Sequence, residues 1–498
     1  MREASWLRIV IAALVVLTVF PGTAGASPPG TTPVVLFPAF HLTRLQVVVD
    51  HQTAAPGCPR SGSFEDWYRN DHPSRLFSQV CQDRLLTLRY DANPSQAMAS
   101  RFSNAPGVDV RILDYGRTDS APFYEPFYRA LEAHGHRRNT DIRVAGYDSR
   151  LTPDMGGFLE RTRELIEKTY RDNGNRPVHL VAHSNGPLYA QYLLTHMSRA
   201  WRDTYIQGFT PIAGNFPGQG LLYPVLFTGL NIQDFGYPTT RENAESSARL
   251  YRSAPSSYMS ASDPRIFENR EVVVQDTSTG RSYTPRDYPE LFADAGMPTA
   301  REIADHYIGF VRFADARSFP DVDVYAERGS GLHTVVGARL PNLSAGQIAQ
   351  PGRFLYRDGD GNQEDITNEA VLAWRAMACH RFGLTDNPGV DHFSLPGDRH
   401  LLDRLLAHLA QPRSDCPADG GLSAHPTAGR WPADGRLAPV GPAHAPARSV
   451  AVFRAEIRLM CVFTVARPRP PWGEAGSIRI RLTRSTGVPS ADRCRSTQ

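Results

Sequence analysis

The residue pattern best suited to chemistry surrounds Ser184. Residues 178–186 read VHLVAHSNG, and the pattern of residues 187–196 predicts a helix directly after them. A serine on a tight turn between a strand and a helix is typical of a nucleophile elbow, usually written G-x-S-x-G. The turn needs small residues two positions before and after the serine, here Ala182 and Gly186. The pattern therefore predicts a nucleophile at Ser184, with a helix N-cap serine as the alternative.

A nucleophilic serine must be followed along the chain by an orienting acid and then by a histidine base. The acid is predicted in the glycine-flanked D-G-D-G sequence at residues 358–361. Asp360 is the preferred acid and Asp358 the second choice. The alternative is a solvated acidic turn, with or without a cation. No D-x-[DN]-x-[DN]-G-x5-E run occurs there, so an EF-hand is excluded and no metal site is predicted.

His392, in the sequence GVDHF, is the predicted base because it follows Asp360 and precedes an amphipathic helix. Three other histidines fit less well. His400 lies inside or at the start of that helix, and His333 precedes the acid, which breaks the order. His183 is expected to be a packed structural residue, since neighbours on a sharp turn point in different directions.

An oxyanion hole needs two backbone N–H donors beside the nucleophile. Asn185, the residue after Ser184, is predicted to supply one of them. The other is assigned to Phe40, in the loop after the first predicted strand, with an ordinary strand end as the alternative. A triad enzyme of this kind needs no metal or organic cofactor, and none is predicted.

The elements that would carry these residues alternate between strand and helix from about residue 33. Strands are predicted at 34–37, 143–145, 178–181, 206–213 and 322–326, and helices at 125–135, 158–170, 187–196 and 401–409. Alternation of this kind predicts an α/β protein with a mostly parallel sheet covered by helices on both faces. One hydrolase domain is expected over residues 27–416.

Two stretches interrupt this alternation. Residues 215–305 are rich in Gly, Pro, Tyr, Asn and Ser and show weak periodicity, which predicts an irregular cap or lid insertion. Residues 417–498 are rich in Ala, Pro, Gly and Arg. This tail is interpreted as disordered, with a small β appendage or an extension read through GC-rich DNA as alternatives.

The N-terminus and the composition indicate an exported protein. Residues 1–26 combine early arginines, an apolar run and a small-residue site, which predicts a cleaved signal peptide, with an uncleaved anchor as the alternative. Export would allow disulfides among the six cysteines, which include no CxxC pair. The net charge of +3 gives no reason to expect nucleic acid as a partner.

Several blocks together resemble the lecithin–cholesterol acyltransferase family, which includes lysosomal phospholipase A2/transacylases and phospholipid–diacylglycerol acyltransferases. The resemblance covers about residues 33–410. Its blocks are PVVLFP at 33–38, SNAPGV at 103–108, AGYDSRL at 145–151, AHSNG at 182–186, YIQGF at 205–209 and DGDG at 358–361. Each block is weak alone, but the ordered set is specific. The resemblance implies an α/β-hydrolase fold and puts Asp360 and His392 on the family's triad positions.

The resemblance also has implications for a loop near the N-terminus. Cys58 and Cys81 are similar in spacing to the disulfide that closes the family's membrane-binding excursion. Phe64, Trp67 and Tyr68 lie between them. Aromatic side chains on a cross-linked loop suit a lipid interface, so these three are expected to be exposed there. A packed loop is the alternative.

The chain departs from the family pattern at several positions. Cys379 is near a second family disulfide, but no cysteine occupies the usual partner position, so pairing with Cys416 is expected instead. The other departures are Ala182 for glycine, Ala39 for glycine in the oxyanion turn, Ser149 for a pocket tryptophan and Asn362 for a threonine after D-G-D-G. The triad is intact, so activity is expected, while the pocket changes leave the substrate open.

The resemblance implies a secreted enzyme that binds peripherally to a lipid surface. It would take a fatty acyl chain from a phospholipid through acyl-Ser184 to water, a lipid alcohol or a sterol. Two alternatives stay open: a secreted neutral-lipid lipase or carboxylesterase, and a lipid-binding protein with a dead site. The acyl acceptor and the oligomeric state also stay open.

Overall fold

A computed structural model describes residues 31–50, 58, 60–66, 78–230, 240–267, 271–311, 313, 319–344, 351–376 and 379–416. The predicted signal peptide and the tail from residue 417 lie outside the described residues, as do Trp67 and Tyr68. None of the described helices is both long and apolar enough to cross a membrane.

The described elements are named here in chain order. The strands are β1 (Val34–Phe37), β2 (Leu45–Val49), β3 (Gly62–Asp66), β4 (Arg89–Tyr90), β5 (Phe102–Ser103), β6 (Val108–Ile112), β7 (Ile142–Val144), β8 (Val178–His183), β9 (Ile206–Ile212), β10 (Val274–Asp276), β11 (Ser282–Tyr283), β12 (Val324–Ser330), β13 (Leu332–Leu340), β14 (Phe354–Gly359) and β15 (Phe382–Pro388). The α-helices are α1 (Gln79–Leu86), α2 (Glu125–Ala133), α3 (Phe158–Asp172), α4 (Gly186–His196), α5 (Arg199–Tyr205), α6 (Leu222–Thr228), α7 (Arg241–Ser253), α8 (Pro255–Met259), α9 (Pro264–Phe267), α10 (Tyr288–Asp294), α11 (Pro298–Tyr307), α12 (Asp365–Glu369) and α13 (Arg399–Leu409).

The central sheet has the strand order β15-β12-β9-β8-β1-β7 in the described part of the chain. Every pairing in it is parallel. Strands β1, β8 and β9 lie in the middle of this order, and all their residues are buried. Continuous burial is expected for parallel strands that have helices on both faces. The predicted α/β architecture with a mostly parallel sheet is confirmed.

The two faces of the sheet pack against different helices. On β1, Val35 and Phe37 belong to the core cluster that includes residues of α3 and α4. Val34 and Leu36 belong to the cluster that includes residues of α2 and α13. Successive strand residues point to opposite faces, so β1 contributes alternately to both layers. The turn at Ser184, which follows β8, is therefore supported by a sheet that has packed core residues on both faces.

The segment predicted as an irregular insertion, residues 215–305, is more regular than its sequence suggests. Its described residues contain α6 to α11 and the strands β10 and β11. These helices are short, and every residue of α6 is buried. The expectation of irregular structure was wrong. A helix that is apolar on all sides has no amphipathic period to detect, which explains why α6 was missed, whereas α7 and α11 are amphipathic and do carry such a period. Strands β11, β10, β13 and β14 form a second sheet in that order.

The predicted disulfides are confirmed: Cys58 pairs with Cys81, and Cys379 pairs with Cys416. The expectation that Phe64 is exposed is wrong. Phe64 lies on β3, is 5% exposed and packs in a cluster with Cys81. Its strand neighbours Ser63 and Glu65 face solvent instead, because side chains alternate along a strand.

Candidate active site

The turn at Ser184 has the conformation that a nucleophile elbow requires. Strand β8 ends at His183 and α4 begins at Gly186. Ser184 has a φ of 61°, a left-handed conformation that costs a non-glycine residue about 1–3 kcal/mol. The Ser184 N–H donates to Ile212 O at 2.9 Å, and the Ser184 carbonyl accepts from Asn215 N at 2.9 Å. Strand β9 and the loop after it therefore stabilise the strained turn.

The small residues around the elbow have a steric reason to be small. A Cβ at Gly186 would lie 2.8 Å from Pro38 O and closer still to Phe37 O, so α4 can approach β1 only with glycine there. Ala182 lies within β8, paired with Phe37 and Pro211, and is fully buried. A methyl group fits at this strand position, so the departure from glycine is compatible with the turn.

Asp360 and His392 meet in the buried interior. Asp360 Oδ2 lies 2.8 Å from His392 Nδ1, and Asp360 Oδ1 accepts hydrogen bonds from Asn362 N at 3.0 Å and Gln363 N at 2.7 Å. His392 N also donates to Asp360 O at 2.9 Å. One carboxylate oxygen and the backbone thus hold the pair together, while the other carboxylate oxygen fixes the Asp360 side chain within its own loop. Asp358, the second choice for the acid, is exposed on β14. Its backbone lies opposite that of His333 on the neighbouring antiparallel strand β13.

The hydrogen bonds of His392 determine which of its nitrogens can act as a base. A carboxylate partner requires the proton on Nδ1, which leaves Nε2 with its lone pair. His392 Nε2 is buried and has no hydrogen-bond partner among the described residues. Phe393, the next residue, lines the same pocket as Ser184. Ser184 and the Asp360–His392 pair are therefore brought to one region.

His183 is a buried structural histidine, as its position next to Ser184 on a sharp turn predicts. Its Nε2 lies 3.0 Å from His392 O, and its Nδ1 lies 3.0 Å from the Tyr124 hydroxyl. Burial holds the pKa of His183 well below its ordinary value, so the ring is neutral. The Tyr124 oxygen in turn accepts a hydrogen bond from Ala39 N at 2.8 Å. This series of hydrogen bonds connects the predicted oxyanion loop to the backbone of His392.

The loop that carries Phe40 is held on both sides of that residue. Ala39 N is bound by Tyr124, and His41 N donates to Ser149 Oγ at 2.9 Å. Ser149 is fully buried and supports this loop through its hydroxyl. Burial also lowers the pKa of His41 to about 3, so this neighbour adds no positive charge.

A pocket beside Ser184 contains both predicted oxyanion residues. Its lining residues are Ala39, Phe40, Ser184, Asn185, Asn215, Gln219, Leu222, Ser260, Asn362 and Phe393. Four of these, Asn215, Gln219, Leu222 and Ser260, come from the segment after β9, where sequence reasoning assigned no site residue. No helical or strand period marks them in the sequence. No group of three or more His, Cys, Asp or Glu suited to a metal occurs in the described part of the chain.

Tyr124 and a buried pair of glutamates, Glu271 and Glu364, were also missed from sequence. Glu364 Oε1 accepts a hydrogen bond from Gly220 N at 2.9 Å, and Arg357 Nε lies 3.1 Å from Glu271 Oε2. Burial raises the pKa of Glu364 to about 7, and burial together with the charge of Glu364 raises the pKa of Glu271 well above its ordinary value. These glutamates meet only through long-range folding, which sequence spacing does not show.

A parallel sheet carrying a strand–serine–helix turn, with a buried aspartate–histidine pair beside it, defines an α/β-hydrolase fold. The model of the lecithin:cholesterol acyltransferase family matches residues 95–308. The chain is 31% identical over 334 residues to lysosomal phospholipase A and acyltransferase of Mus musculus, covering 63% of this chain and 76% of that protein. The chain therefore belongs to the lecithin:cholesterol acyltransferase family.

Other relatives extend this similarity. Lecithin-cholesterol acyltransferase-like 1 of Oryza sativa subsp. japonica is 26% identical over 421 residues, which cover 81% of this chain and 92% of that protein. Phosphatidylcholine-sterol acyltransferase of Gallus gallus is 25% identical over 321 residues, which cover 60% of this chain and 71% of that protein.

Proposed function

We propose that the protein is a serine-dependent lipid acyl-transfer enzyme with Ser184, Asp360 and His392 as its catalytic residues. The observation that carries this proposal is the buried hydrogen bond between Asp360 and His392, beside a serine on a left-handed turn. Asp360 selects the His392 tautomer whose Nε2 can accept a proton, and it would stabilise the imidazolium that forms.

The mechanism proceeds in two halves that use the same residues. In the first half, Ser184 Oγ attacks the ester carbonyl carbon while its proton moves to His392 Nε2. The N–H groups of Phe40 and Asn185 stabilise the resulting oxyanion. His392 then gives the proton to the leaving alkoxide, and the ester bond breaks to leave acyl-Ser184. In the second half, water or an alcohol attacks the acyl carbon, its proton passes through His392 to Ser184 Oγ, and the free enzyme returns.

The names of the relatives support a phospholipid as acyl donor. They describe a phospholipase A and acyltransferase and a phosphatidylcholine-sterol acyltransferase. Transfer to water would make this chain a phospholipase A, and transfer to a lipid alcohol would make it an O-acyltransferase. We also propose that the protein is secreted and acts at a lipid surface. The two disulfides support export, because disulfides persist in oxidising compartments.

The test is a liposome assay with the purified chain, supplying phosphatidylcholine with and without a lipid alcohol. The matched variants are Ser184→Ala and Ser95→Ala, the second being an exposed loop serine. We expect lyso-lipid release by the wild type and by Ser95→Ala, and its loss in Ser184→Ala. Release that persists in Ser184→Ala would overturn the proposal. Activity on triacylglycerol alone would point to a neutral lipase, and no Ser184-dependent product would point to a lipid-binding protein.

A further inference from the structure

The two N–H groups proposed to bind the oxyanion come from segments that are far apart in the chain. One belongs to Phe40, in the loop after β1, and the other belongs to Asn185, directly before α4. Donors of this kind stabilise an oxyanion only when they are already in place before the charge develops. The proposed chemistry therefore requires that one loop be held at a fixed distance from the other.

The loop that carries Phe40 is held by Ser149. His41, the residue after Phe40, has a φ of 60°, a left-handed conformation that persists in a non-glycine residue only where its surroundings hold it. His41 N donates to Ser149 Oγ at 2.9 Å, and Ser149 is fully buried. This hydrogen bond fixes the peptide group that follows Phe40.

Ser149 is held in turn by the short helix α8, which belongs to the segment after β9. The hydroxyl of Ser256, in the first turn of α8, donates to Ser149 O. Ser256 N also donates to Arg150 O at 3.4 Å. Ser256 has no solvent exposure, so bulk water does not compete for these hydrogen bonds. Helix α8 therefore anchors the loop that presents Ser149 to His41.

The other end of α8 contacts the second proposed oxyanion residue. Ser260, which directly follows α8, donates from Oγ to Asn185 Oδ1 at 2.8 Å. Ser260 N donates to Ser256 O at 3.0 Å, so one helical turn joins the two serines. Residues four positions apart lie on the same face of a helix, and here both hydroxyls contact loops of the candidate active site.

We propose that Ser149, Ser256 and Ser260 are positioning residues that set the separation of the two oxyanion donors. This inference rests on the proposed function. The three serines, with α8 between the last two, form a serine bridge from His41 to Asn185. The bridge stabilises the tetrahedral species and leaves binding of the intact ester unchanged, because the oxyanion exists only after the serine has attacked.

Helix α8 also contains a matched control for the serine bridge. Ser257 is next to Ser256 in the same helix and has no solvent exposure. Its hydroxyl makes no hydrogen bond to any residue in the described part of the chain. Ser257→Ala therefore removes the same atom from the same buried helix as Ser256→Ala does, without breaking a contact of the bridge.

The first test compares Ser256→Ala, Ser260→Ala and Ser257→Ala by lyso-lipid release from phosphatidylcholine vesicles. Titration with a fluorophosphonate counts the active sites, so misfolded chains do not enter kcat. We expect Ser256→Ala and Ser260→Ala to lower kcat by about tenfold with little change in KM, since complete loss of one oxyanion donor costs about 100- to 1000-fold. Ser257→Ala should keep the wild-type kcat. Equal losses in Ser256→Ala and Ser257→Ala, or no loss in Ser256→Ala and Ser260→Ala, would overturn the inference.

The second test separates binding of the tetrahedral species from binding of the substrate. A long-chain trifluoromethyl ketone forms a charged tetrahedral adduct with a nucleophilic serine, whereas an ether analogue of phosphatidylcholine binds without reacting. We expect the Kd of the ketone to rise about tenfold in Ser256→Ala and Ser260→Ala, with the Kd of the ether analogue unchanged. A rise in both constants would show general damage to the pocket and would overturn the inference, as would a rise in neither.

The third test asks whether Ser256 acts through Ser149. Contacts in series are not additive, so Ser149→Ala/Ser256→Ala should lose no more kcat than Ser149→Ala alone. Additive losses would show that Ser256 acts by another route and would overturn the bridge.

Failure of this inference and failure of the proposed function give different results. Unchanged kinetics and unchanged ketone binding in the bridge variants, with Ser184-dependent release intact, would remove only the serine bridge. Absence of Ser184-dependent lyso-lipid release in the wild-type chain would remove the proposed function and the inference that rests on it.

Discussion

At the scale of single residues, the proposed chemistry depends on how the hydrogen bonds of Asp360 and His392 are distributed. Asp360 uses both side-chain oxygens, and this leaves one nitrogen of His392 without a partner among the described residues. The same carboxylate therefore both positions the ring and selects its tautomer. Removing the charge while keeping the shape should affect catalysis far more than folding.

Asp360→Asn is predicted to lower kcat by about 10⁴-fold, because an amide partner favours the wrong histidine tautomer. Asp358→Asn is the matched control, since Asp358 is exposed in the same D-G-D-G sequence. The measurement is fatty acid release from phosphatidylcholine vesicles, with circular dichroism to check the fold. If Asp358→Asn caused the greater loss, the assignment of the acid would be contradicted.

Tyr124→Phe is predicted to lower kcat by about tenfold with little change in KM. The hydroxyl joins Ala39 N to His183 Nδ1, and its loss leaves both buried groups without this partner, at about 1–3 kcal/mol. Tyr128→Phe is the matched control, because its hydroxyl donates to Ala121 O from α2, the helix that begins directly after Tyr124. Equal kcat losses in the two variants would show that Tyr124 has only a structural role.

At the scale of elements, the acid loop lies between the second sheet and α12. Strand β14 ends at Gly359, next to Asp360, and Glu364 precedes α12. Glu364 approaches Glu271 in the buried interior, where burial raises the pKa of both carboxyls and the charge of Glu364 raises that of Glu271 further. The segment that carries Asp360, the proposed catalytic acid, is therefore joined to a pair of carboxyls with raised pKa values.

This pair predicts that stability falls as the pH rises. A carboxyl whose pKa is raised on folding stabilises the fold fully at low pH, and this contribution is lost as the pH passes about 7. The expected loss between pH 5 and pH 8 is on the order of 3 kcal/mol. Glu364→Gln should make the thermal midpoint less dependent on pH. Parallel pH profiles for the wild type and this variant would contradict the prediction.

At the scale of the whole molecule, two disulfides hold segments that are distant from the elbow in sequence. Cys58–Cys81 closes 23 residues around β3, and Cys379–Cys416 closes 37 residues that include β15 and α13. The second loop contains His392, so the cross-link restrains the part of the chain that carries the proposed base. A cross-link of this length is worth about 3–4 kcal/mol in the chain-entropy model.

Replacing Cys379 and Cys416 by serine is predicted to lower the free energy of unfolding by about 3 kcal/mol. The measurement is denaturant unfolding of the double variant, compared with the corresponding Cys58→Ser/Cys81→Ser variant. Because the second cross-link encloses His392, its removal should also lower lyso-lipid release at temperatures below the new midpoint. Unchanged stability and unchanged release would show that the cross-link does not restrain the base.

Spacing along the sequence was sufficient to predict those parts of the fold and the site that depend on residues near one another in the chain. The strand–serine–helix pattern at Ser184 and the order of Asp360 and His392 follow from spacing along the chain. Phe64 was misjudged because its burial depends on which face of β3 meets α1. Tyr124, Gln219 and the pair of Glu271 and Glu364 depend on contacts between distant segments, which spacing does not reveal.

The most direct measurement of the central claim is the position of a covalent adduct after treatment of the native chain with a fluorophosphonate. Peptide mass spectrometry would locate the modified residue in the wild type, Ser184→Ala and Asp360→Asn. We expect an adduct on Ser184 in the wild type, none in Ser184→Ala and much slower formation in Asp360→Asn. An adduct on another serine, or labelling that survives in Ser184→Ala, would contradict this expectation.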